Sequence, residues 1–139
     1  MLAALGQLGI SHTGHLGDGL VTVTGNSGRI APGDHRLNVA NSGTSMRFLS
    51  AVAALGRGTI HLDGVPRMRE RPILPLVNSL RQIGVDLDCS PSGCPPVVVR
   101  ARGIPGGTTC VEGDASSQFL SSILLASPCA EKDVLANTS

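Results

Sequence analysis

The chain has 139 residues, which suits one ordinary domain with a single modest core. It contains two Phe and neither Trp nor Tyr, so aliphatic side chains must build that core. A formal net charge of +1 gives no reason to expect a nucleic-acid or membrane surface, and no apolar run approaches the roughly 20 residues of a membrane span.

Apolar periodicity predicts four helices along the chain. Leu2, Leu5 and Leu8 share one face of the first helix, and Gly9 is a plausible stop. The later helices are expected at about Thr44–Leu55, from about Pro72 to Ile83, and from about Ser116 to Pro128.

Strands are expected between these helices, bounded by Gly and Pro. They are predicted at Leu20–Thr24, Thr59–Asp63, Val85–Cys89, Val97–Ala101 and Thr108–Glu112. The third and fourth would form a hairpin around Pro91–Pro96. The tail Lys132–Ser139 departs from the strand pattern and is expected to be an unpaired end. Strands that alternate with helices predict an α/β (α+β layered) fold.

Short stretches of the chain recur at separations in the low to middle seventies. Leu5–Ile10 (LGQLGI) resembles Leu80–Val85 (LRQIGV), and Ser45–Ser50 (SMRFLS) resembles Ser116–Ser121 (SSQFLS). This predicts a repeated unit, with the end of one copy at about 1–19, a central copy at 20–101 and the start of another at 102–139. Chance similarity of short apolar stretches is the alternative.

The segment Asn41–Arg47 (NSGTSMR) is the first candidate for binding an anion. Its small residues lead into the second helix, where free backbone N–H groups attract phosphate or carboxylate. Gly43 permits a close approach, and the Thr44 and Ser45 hydroxyls are further donors. The alternative is an ordinary helix cap, because Asn, Ser and Thr are common capping residues.

The segment Asp114–Gln118 (DASSQ) has the same design at the start of the fourth helix. Two repeat-related polar helix starts suggest two anion sites that face one cleft. Asp114 is also a candidate cap, since its charge would oppose an anion placed too close.

A third candidate is Pro66–Pro72 (PRMRERP), between a strand and a helix. The planar fork of Arg67, Arg69 or Arg71 matches carboxylate and phosphate oxygens, and Glu70 is a candidate partner for one guanidinium. A solvated charge run is the alternative, but the flanking prolines and the strand end favour an ordered loop. Ligands in α/β sheets favour that edge.

No nucleophile-and-base signature, P-loop or dinucleotide fingerprint is visible, and the cysteines and histidines lack the spacing of a metal site.

Together these segments resemble the 5-enolpyruvylshikimate-3-phosphate (EPSP) synthase family. Asn41–Arg47 is similar to the family's Asn-Ala-Gly-Thr-Ala-Met-Arg motif, Leu62–Pro72 to its most distinctive stretch, and Ser116–Leu120 to its Ser-Ser-Gln element. The resemblance runs from Leu2 to about Val134. It implies two similar domains, each of three β-α-β-α-β-β repeats. This chain would hold about one full unit and parts of two neighbours from the N-terminal domain.

The resemblance also implies roles for individual residues. Phosphoenolpyruvate would be bound by Gly43, Arg71 and Gln118. Shikimate-3-phosphate would be bound by Ser116, Ser117 and Gln118. Asn41, Thr44, Arg47 and Arg67 would be supporting residues. The inhibitor glyphosate would use the phosphoenolpyruvate contacts, although Phe48 stands where the family often has Pro.

The implied reaction transfers the enolpyruvyl group and releases phosphate, with no metal or organic cofactor. No catalytic residue is expected in this chain, because the groups that handle proton transfer would lie in a missing C-terminal domain or a complementary fragment. The chain alone would then be inactive. A non-catalytic anion-binding module and a fragment active only on assembly are the alternatives. The resemblance implies a cytoplasmic protein, or a plastid one in a plant, with no nucleic-acid or membrane partner.

Overall fold

The structure of the protein is a computed structural model, and it describes residues 1–112, 114 and 116–139. The α-helices are α1 (Leu2–Gln7), α2 (Gly43–Ala53), α3 (Leu74–Gln82) and α4 (Ser117–Ala126). The strands are β1 (His12–Thr13), β2 (Thr22–Val23), β3 (His35–Asn38), β4 (Arg57–Asp63), β5 (Asp86–Asp88), β6 (Val97–Arg102), β7 (Gly107–Val111) and β8 (Val134–Thr138). Short 3₁₀ helices lie at Leu16–Asp18, Pro66–Glu70 and Ser127–Cys129. Within the described part of the chain, no helix has the length and apolar character needed to cross a bilayer.

A four-stranded sheet in the order β3-β4-β6-β5 forms the centre of the fold. β3 and β4 are parallel and are connected through α2, whereas β6 pairs antiparallel with both β4 and β5. From His35 to Arg102 the chain therefore runs β-α-β-α-β-β. The predicted α/β (α+β layered) fold is confirmed, and β5 and β6 form the predicted hairpin.

Period-two alternation places one face of this sheet in the core. In β6, Val97, Val99 and Ala101 are buried, while Arg100 and Arg102 are exposed. The buried face packs with apolar side chains of α2 and α3, including Leu49 and Leu80. The opposite face is charged and open to water.

The third helix begins later than the sequence suggested. It starts at Leu74, two residues after the expected start near Pro72, and Pro75 takes the first-turn position expected for Pro72. The N–H groups of Ile73 and Leu74 both donate to the carbonyl of Gly93, at 2.8 and 3.0 Å. The loop between β5 and β6 therefore fixes where α3 starts.

A second β-α-β unit follows, because β7 and β8 are parallel and α4 connects them. The expectation of an unpaired end at Lys132–Ser139 is therefore wrong, since Val134–Thr138 is a paired strand. The Gly33 N–H donates to the Arg57 carbonyl at 2.8 Å, and the Gly107 N–H donates to the Asp133 carbonyl at 3.0 Å. β3-α2-β4 and β7-α4-β8 thus share one hydrogen-bonding pattern.

The helix caps give the register of this repeat. Ser42 caps α2 and Ser116 caps α4, each through its side-chain oxygen, and these serines lie 74 positions apart. The similarity between Ser45–Ser50 and Ser116–Ser121 is therefore shifted by three residues from structural equivalence. A one-turn shift keeps apolar residues on the same helix face, which explains why the sequence comparison favoured it.

The first strand predicted from the sequence is short and lies outside the central sheet. Thr22–Val23 pairs antiparallel with His12–Thr13 in a separate two-stranded ribbon. The sheet itself begins at His35. The predicted ends of the central repeat, near residues 20 and 101, stay predictions.

Ion pairs on the exposed sheet face predict how stability changes in acid. Arg100 donates to both Asp86 and Asp88, and these hydrogen bonds hold the pKa of each carboxyl below its ordinary value. A carboxyl whose pKa is lowered by folding stabilises the protein above its unfolded pKa of about 4 and loses that contribution as pH falls further. Arg100→Gln should therefore lower the urea midpoint at pH 7, and this loss should become smaller as pH falls from about 4 toward 2 and the carboxyls take up protons. Arg36→Gln, which removes an exposed guanidinium from the same sheet face, is the control. An equal loss at both pH values for Arg100→Gln would contradict this assignment.

Candidate functional site

Two guanidinium groups converge on the start of α2. A Cβ atom built on Gly43 would lie 2.7 Å from Arg71 Nη1 and 3.7 Å from Arg47 Nη1. Gly43 is the first residue of α2, where backbone N–H groups lack intrahelical partners. These three residues line a shallow pocket with Met46 and Met68. The helix start and both cations attract negative charge to the same place.

Arg47 is held from two sides. Its Nη1 donates to Gln118 Oε1 at 2.5 Å, and its guanidinium carbon lies 5.4 Å from the centre of the Phe119 ring. The pKa of Arg47 lies below its ordinary value, mainly because its side chain is partly buried and secondly because the positive charge of Arg71 is nearby. The guanidinium stays protonated all the same, so a bound anion would relieve repulsion between two cations.

Gln118 joins the two helix starts that the sequence singled out. Its Nε2 donates to Thr44 Oγ1 at 3.1 Å while its Oε1 accepts from Arg47, and its backbone N–H donates to Ser116 Oγ at 3.2 Å. The structure therefore brings Thr44, Arg47 and Gln118 into one hydrogen-bonded group. Ser116 lies next to that group as the cap of α4.

The arginine-rich segment is a loop that contains the short 3₁₀ helix Pro66–Glu70. Asp63, the last residue of β4, accepts from Arg69 Nε at 3.0 Å and Nη2 at 2.6 Å. The hydrogen bond from Arg69 holds the pKa of Asp63 below its ordinary value. The Val65 N–H donates to the Ala40 carbonyl at 3.1 Å and so ties the loop to the segment before α2. Arg69 thus anchors the loop, and Arg71 follows it in extended conformation beside Gly43.

Three expectations at these helix starts and this loop require correction. The guanidinium partner expected at Glu70 is Asp63, which precedes the loop. Ser45 is buried and receives a hydrogen bond from Ser42 Oγ at 2.8 Å, so its hydroxyl belongs to the cap and is turned away from solvent. Ser116, and not Asp114, caps α4.

The remaining predicted residues are exposed. Asn41 and Ser117 lie at the starts of α2 and α4, and Arg67 lies on the Pro66–Glu70 3₁₀ helix and does not line the Gly43 pocket. Ala115, within the second predicted segment, lies outside the described residues.

Sequence reasoning missed Asp63 as an anchor and Phe119 as a support for Arg47. The sequence did contain a sign of the Asp63 contact, because a carboxylate at the end of a predicted strand, followed closely by three arginines, is a natural partner for one of them. Phe119 reads as a core residue in sequence, and its contact with Arg47 follows only from the packing of α4 on α2.

Comparisons with known proteins identify the family. A family model described as EPSP synthase (3-phosphoshikimate 1-carboxyvinyltransferase) matches residues 1–139. The chain is 43% identical over 136 residues to the 3-phosphoshikimate 1-carboxyvinyltransferase of Shewanella piezotolerans. The matched residues make up 96% of this chain and 32% of that protein. The chain is 44% identical over 137 residues to the protein of that name from Salmonella typhimurium, with 97% and 32% covered.

Solved structures agree with these matches. An EPSP synthase structure from Acinetobacter baumannii superposes with a TM-score of 0.80 at 30% identity, covering 94% of this chain and 29% of that chain. A second structure of EPSP synthase from Acinetobacter baumannii gives a TM-score of 0.81 at 30% identity, with 94% and 30% covered. The chain thus spans about a third of the length of the curated relatives it matches. With its whole length matched by the family model, this chain belongs to the EPSP synthase family.

Proposed function

We propose that this chain forms part of the substrate cleft of an enolpyruvyl transferase of the shikimate pathway, in the cytoplasm. The reaction would transfer the enolpyruvyl group of phosphoenolpyruvate to shikimate-3-phosphate and release phosphate. The observation that carries the proposal is the convergence of Arg71 and Arg47 on Gly43 at the start of α2. The relatives named 3-phosphoshikimate 1-carboxyvinyltransferase supply the substrate identities.

Phosphoenolpyruvate would bind where Arg71 meets the start of α2. Because Gly43 has no side chain, an anion held by Arg71 would come close to the backbone at the start of α2, where helix N–H groups attract phosphate or carboxylate oxygens. Arg71 can present two parallel N–H groups to the same anion. Its neighbour Arg69 is already engaged by Asp63 at 2.6 Å, which leaves Arg71 as the loop guanidinium directed at Gly43. Glyphosate, an anion, would compete for these groups.

Shikimate-3-phosphate would bind at the start of α4. The exposed Ser117 hydroxyl is free to turn toward a phosphate oxygen, and Ser116 keeps its hydroxyl proton while its oxygen accepts from the Gln118 N–H. Gln118 would contact both substrates, because its side chain already spans from α4 to Thr44 and Arg47. Asn41, Thr44, Arg47 and Arg67 would support these contacts.

The residues proposed for this cleft are suited to binding anions, and none of them is a carboxylate, imidazole or amine positioned as a general acid or base. Since addition and elimination need proton transfer, the catalytic groups would come from another polypeptide segment, in the same or a separate chain. The same observation supports a second candidate function, an anion-binding module without turnover.

A chimera tests the transferase proposal. The matched third of the Salmonella typhimurium relative would be replaced by residues 1–139 of this chain. We expect the chimera to release phosphate only when phosphoenolpyruvate and shikimate-3-phosphate are both present, and the isolated chain to release none. A folded but inactive chimera would contradict the transferase proposal.

Amide NMR titration of the isolated chain with shikimate-3-phosphate, with and without glyphosate, separates the two candidate functions. Shifts at Gly43, Arg71 and Ser116–Gln118 combined with an inactive chimera would favour the anion-binding module. Shifts at these amides together with an active chimera would support the site assignment and the transferase.

A further inference from the structure

Ala40 has an unusual backbone conformation for a residue with a side chain. It lies between β3 and α2 with a φ of 50°, in the left-handed region that favours glycine. Its N–H donates to Asn38 Oδ1 at 2.8 Å, and its carbonyl accepts from the Val65 N–H at 3.1 Å. Such a conformation persists where the surrounding structure fixes it, and residues of this kind cluster at functional sites. Ala40 comes shortly before Gly43, where the proposed anion site begins.

The left-handed turn changes how the parallel pairing of β3 and β4 ends. If the register of the two strands continued, the backbone groups of Val39 would bond to Asp63 and Val65. The first of these bonds is present, since the Val39 N–H donates to the Asp63 carbonyl at 2.9 Å. The Val39 carbonyl instead accepts from the Ser42 N–H at 3.0 Å, and the Ala40 carbonyl becomes the acceptor for Val65. Ala40 therefore lets the chain turn into α2 without releasing the arginine-rich loop.

The Ala40 carbonyl is also closely packed against this loop. A Cβ atom built on Gly64 would lie 2.2 Å from the Ala40 carbonyl oxygen and 3.0 Å from Met68 Cβ. The absence of a side chain at Gly64 is therefore what lets the two segments lie against each other. Met68 lines the same pocket as Gly43 and Arg71. The Ala40 carbonyl thus has little freedom to move while the loop stays in place.

Both halves of the proposed anion site extend from this junction. The chain after Ala40 leads into Gly43, and the chain after Val65 leads through the Pro66–Glu70 3₁₀ helix to Arg71. Arg71 Nη1 lies 2.7 Å from a Cβ built on Gly43. A shift of about 1 Å between the two segments would change how an anion is held there, and misplacements of that size lower reaction rates strongly.

We propose that Ala40 is a positioning residue of the anion site, and that its left-handed backbone holds the start of α2 at the distance from which Arg71 reaches Gly43. This role rests on the proposed function, because phosphoenolpyruvate is the anion whose binding it would govern. Ala40 is exposed and would contribute through its backbone, so added side-chain atoms have room. A residue that adopts a φ near +50° should therefore be accepted at this position, and a residue that avoids it should not.

The test compares Ala40→Asn with Ala40→Val in the chimera, because these side chains are similar in size and opposite in backbone preference. Asn enters the left-handed region readily, whereas a β-branched residue there is an outlier. We expect Ala40→Val to lower kcat/KM for phosphoenolpyruvate at least about tenfold, while Ala40→Asn and Ala40→Gly stay within about twofold of the unaltered chimera. The KM for shikimate-3-phosphate should change by less than about twofold in all three, because its proposed ligands lie on α4.

Hydrogen exchange of the Val65 amide in the 139-residue chain shows whether the junction itself has changed. The exchange should be at least about tenfold faster in Ala40→Val than in Ala40→Asn or the unaltered chain, because the bond to residue 40 opens. Ala3→Val is the matched control, since Ala3 is an exposed alanine in α1 without a left-handed backbone.

Asn38→Ala keeps the proposal falsifiable if thermal unfolding shows that Ala40→Val is not folded. Asn38 is exposed, and its side-chain oxygen accepts from the Ala40 N–H, so this variant removes one support of the left-handed turn. It should lower kcat/KM for phosphoenolpyruvate at least about threefold and leave the KM for shikimate-3-phosphate within about twofold. Unchanged values for both substrates would contradict the positioning role.

Equal losses for Ala40→Asn and Ala40→Val would overturn the proposal, because side-chain bulk would then explain both. An unchanged kcat/KM in Ala40→Val, or equal increases in the KM of both substrates, would overturn it too. If the unaltered chimera is inactive, the transferase proposal falls. The variants are then compared in the isolated chain by the inorganic phosphate concentration that half-saturates the amide shift at Gly43. A higher concentration for Ala40→Val alone would uphold the positioning role, and equal values for Ala40→Asn and Ala40→Val would overturn it.

Discussion

Replacing Arg71 by alanine should lower kcat/KM for phosphoenolpyruvate in the chimera by about 30-fold or more, because loss of one partner from a desolvated charge pair costs about 2–5 kcal/mol. Arg71 is the guanidinium nearest to Gly43, with its Nη1 2.7 Å from a Cβ built there. Arg47 is partly committed to Gln118 and Phe119 and is a poor substitute. Arg71→Lys should recover only part of the loss, because an ammonium lacks the planar fork.

Steady-state rates of phosphate release against phosphoenolpyruvate concentration check this prediction, with thermal unfolding to show that each variant is folded. Arg102→Ala is the matched control, because Arg102 is an exposed arginine at the end of β6. Gly43→Ala distinguishes shape from charge, since the new methyl group would displace the flexible end of Arg71 without removing it. Gly43→Ala should therefore lower kcat/KM for phosphoenolpyruvate by less than Arg71→Ala does. Equal rates for Arg71→Ala and Arg102→Ala would rule out Arg71 as a substrate ligand.

The sequence predicted the central elements because their side chains alternate or repeat strongly. β6 buries Val97, Val99 and Ala101 on one face and exposes Arg100 and Arg102 on the other. Leu76 and Leu80 mark one face of α3. The family resemblance implied that Gly43 and Arg71 bind the same ligand. Their convergence depends on a contact that composition and periodicity do not encode, since the loop after β4 folds back onto the segment before α2.

The strands that sequence reasoning missed are polar or short. His35–Asn38 buries only Leu37, and Val134–Thr138 has no fully buried residue, so neither shows a clear period of two. Their strand conformation comes from parallel pairing with a distant partner. The internal repeat held the missing signal, because extending the β3-α2-β4 pattern past α4 places a strand at Val134–Thr138.

A second large effect should come from Gly58, where β3 and β4 begin. Its φ of +132° is one that L side chains rarely adopt, and an added Cβ would lie 2.3 Å from the Gly33 carbonyl oxygen. The surrounding backbone cannot easily yield, because the Gly33 N–H donates to the Arg57 carbonyl at 2.8 Å and the Thr59 N–H donates to Asp34 at 2.8 Å. We expect Gly58→Ala to lower the free energy of unfolding by about 2–5 kcal/mol, combining backbone strain with overpacking.

Urea unfolding of the chain measures this loss, which corresponds to a midpoint lower by about 1–2.5 M if the slope is about 2 kcal/mol/M. Gly17→Ala is the matched control, because a Cβ there meets nothing within 4 Å and the position needs no left-handed backbone. That variant should stay within about 0.5 kcal/mol of the parent chain. If Gly58→Ala unfolded at the same urea concentration as Gly17→Ala, the junction of β3 and β4 would have to relax far more easily than its two hydrogen bonds imply.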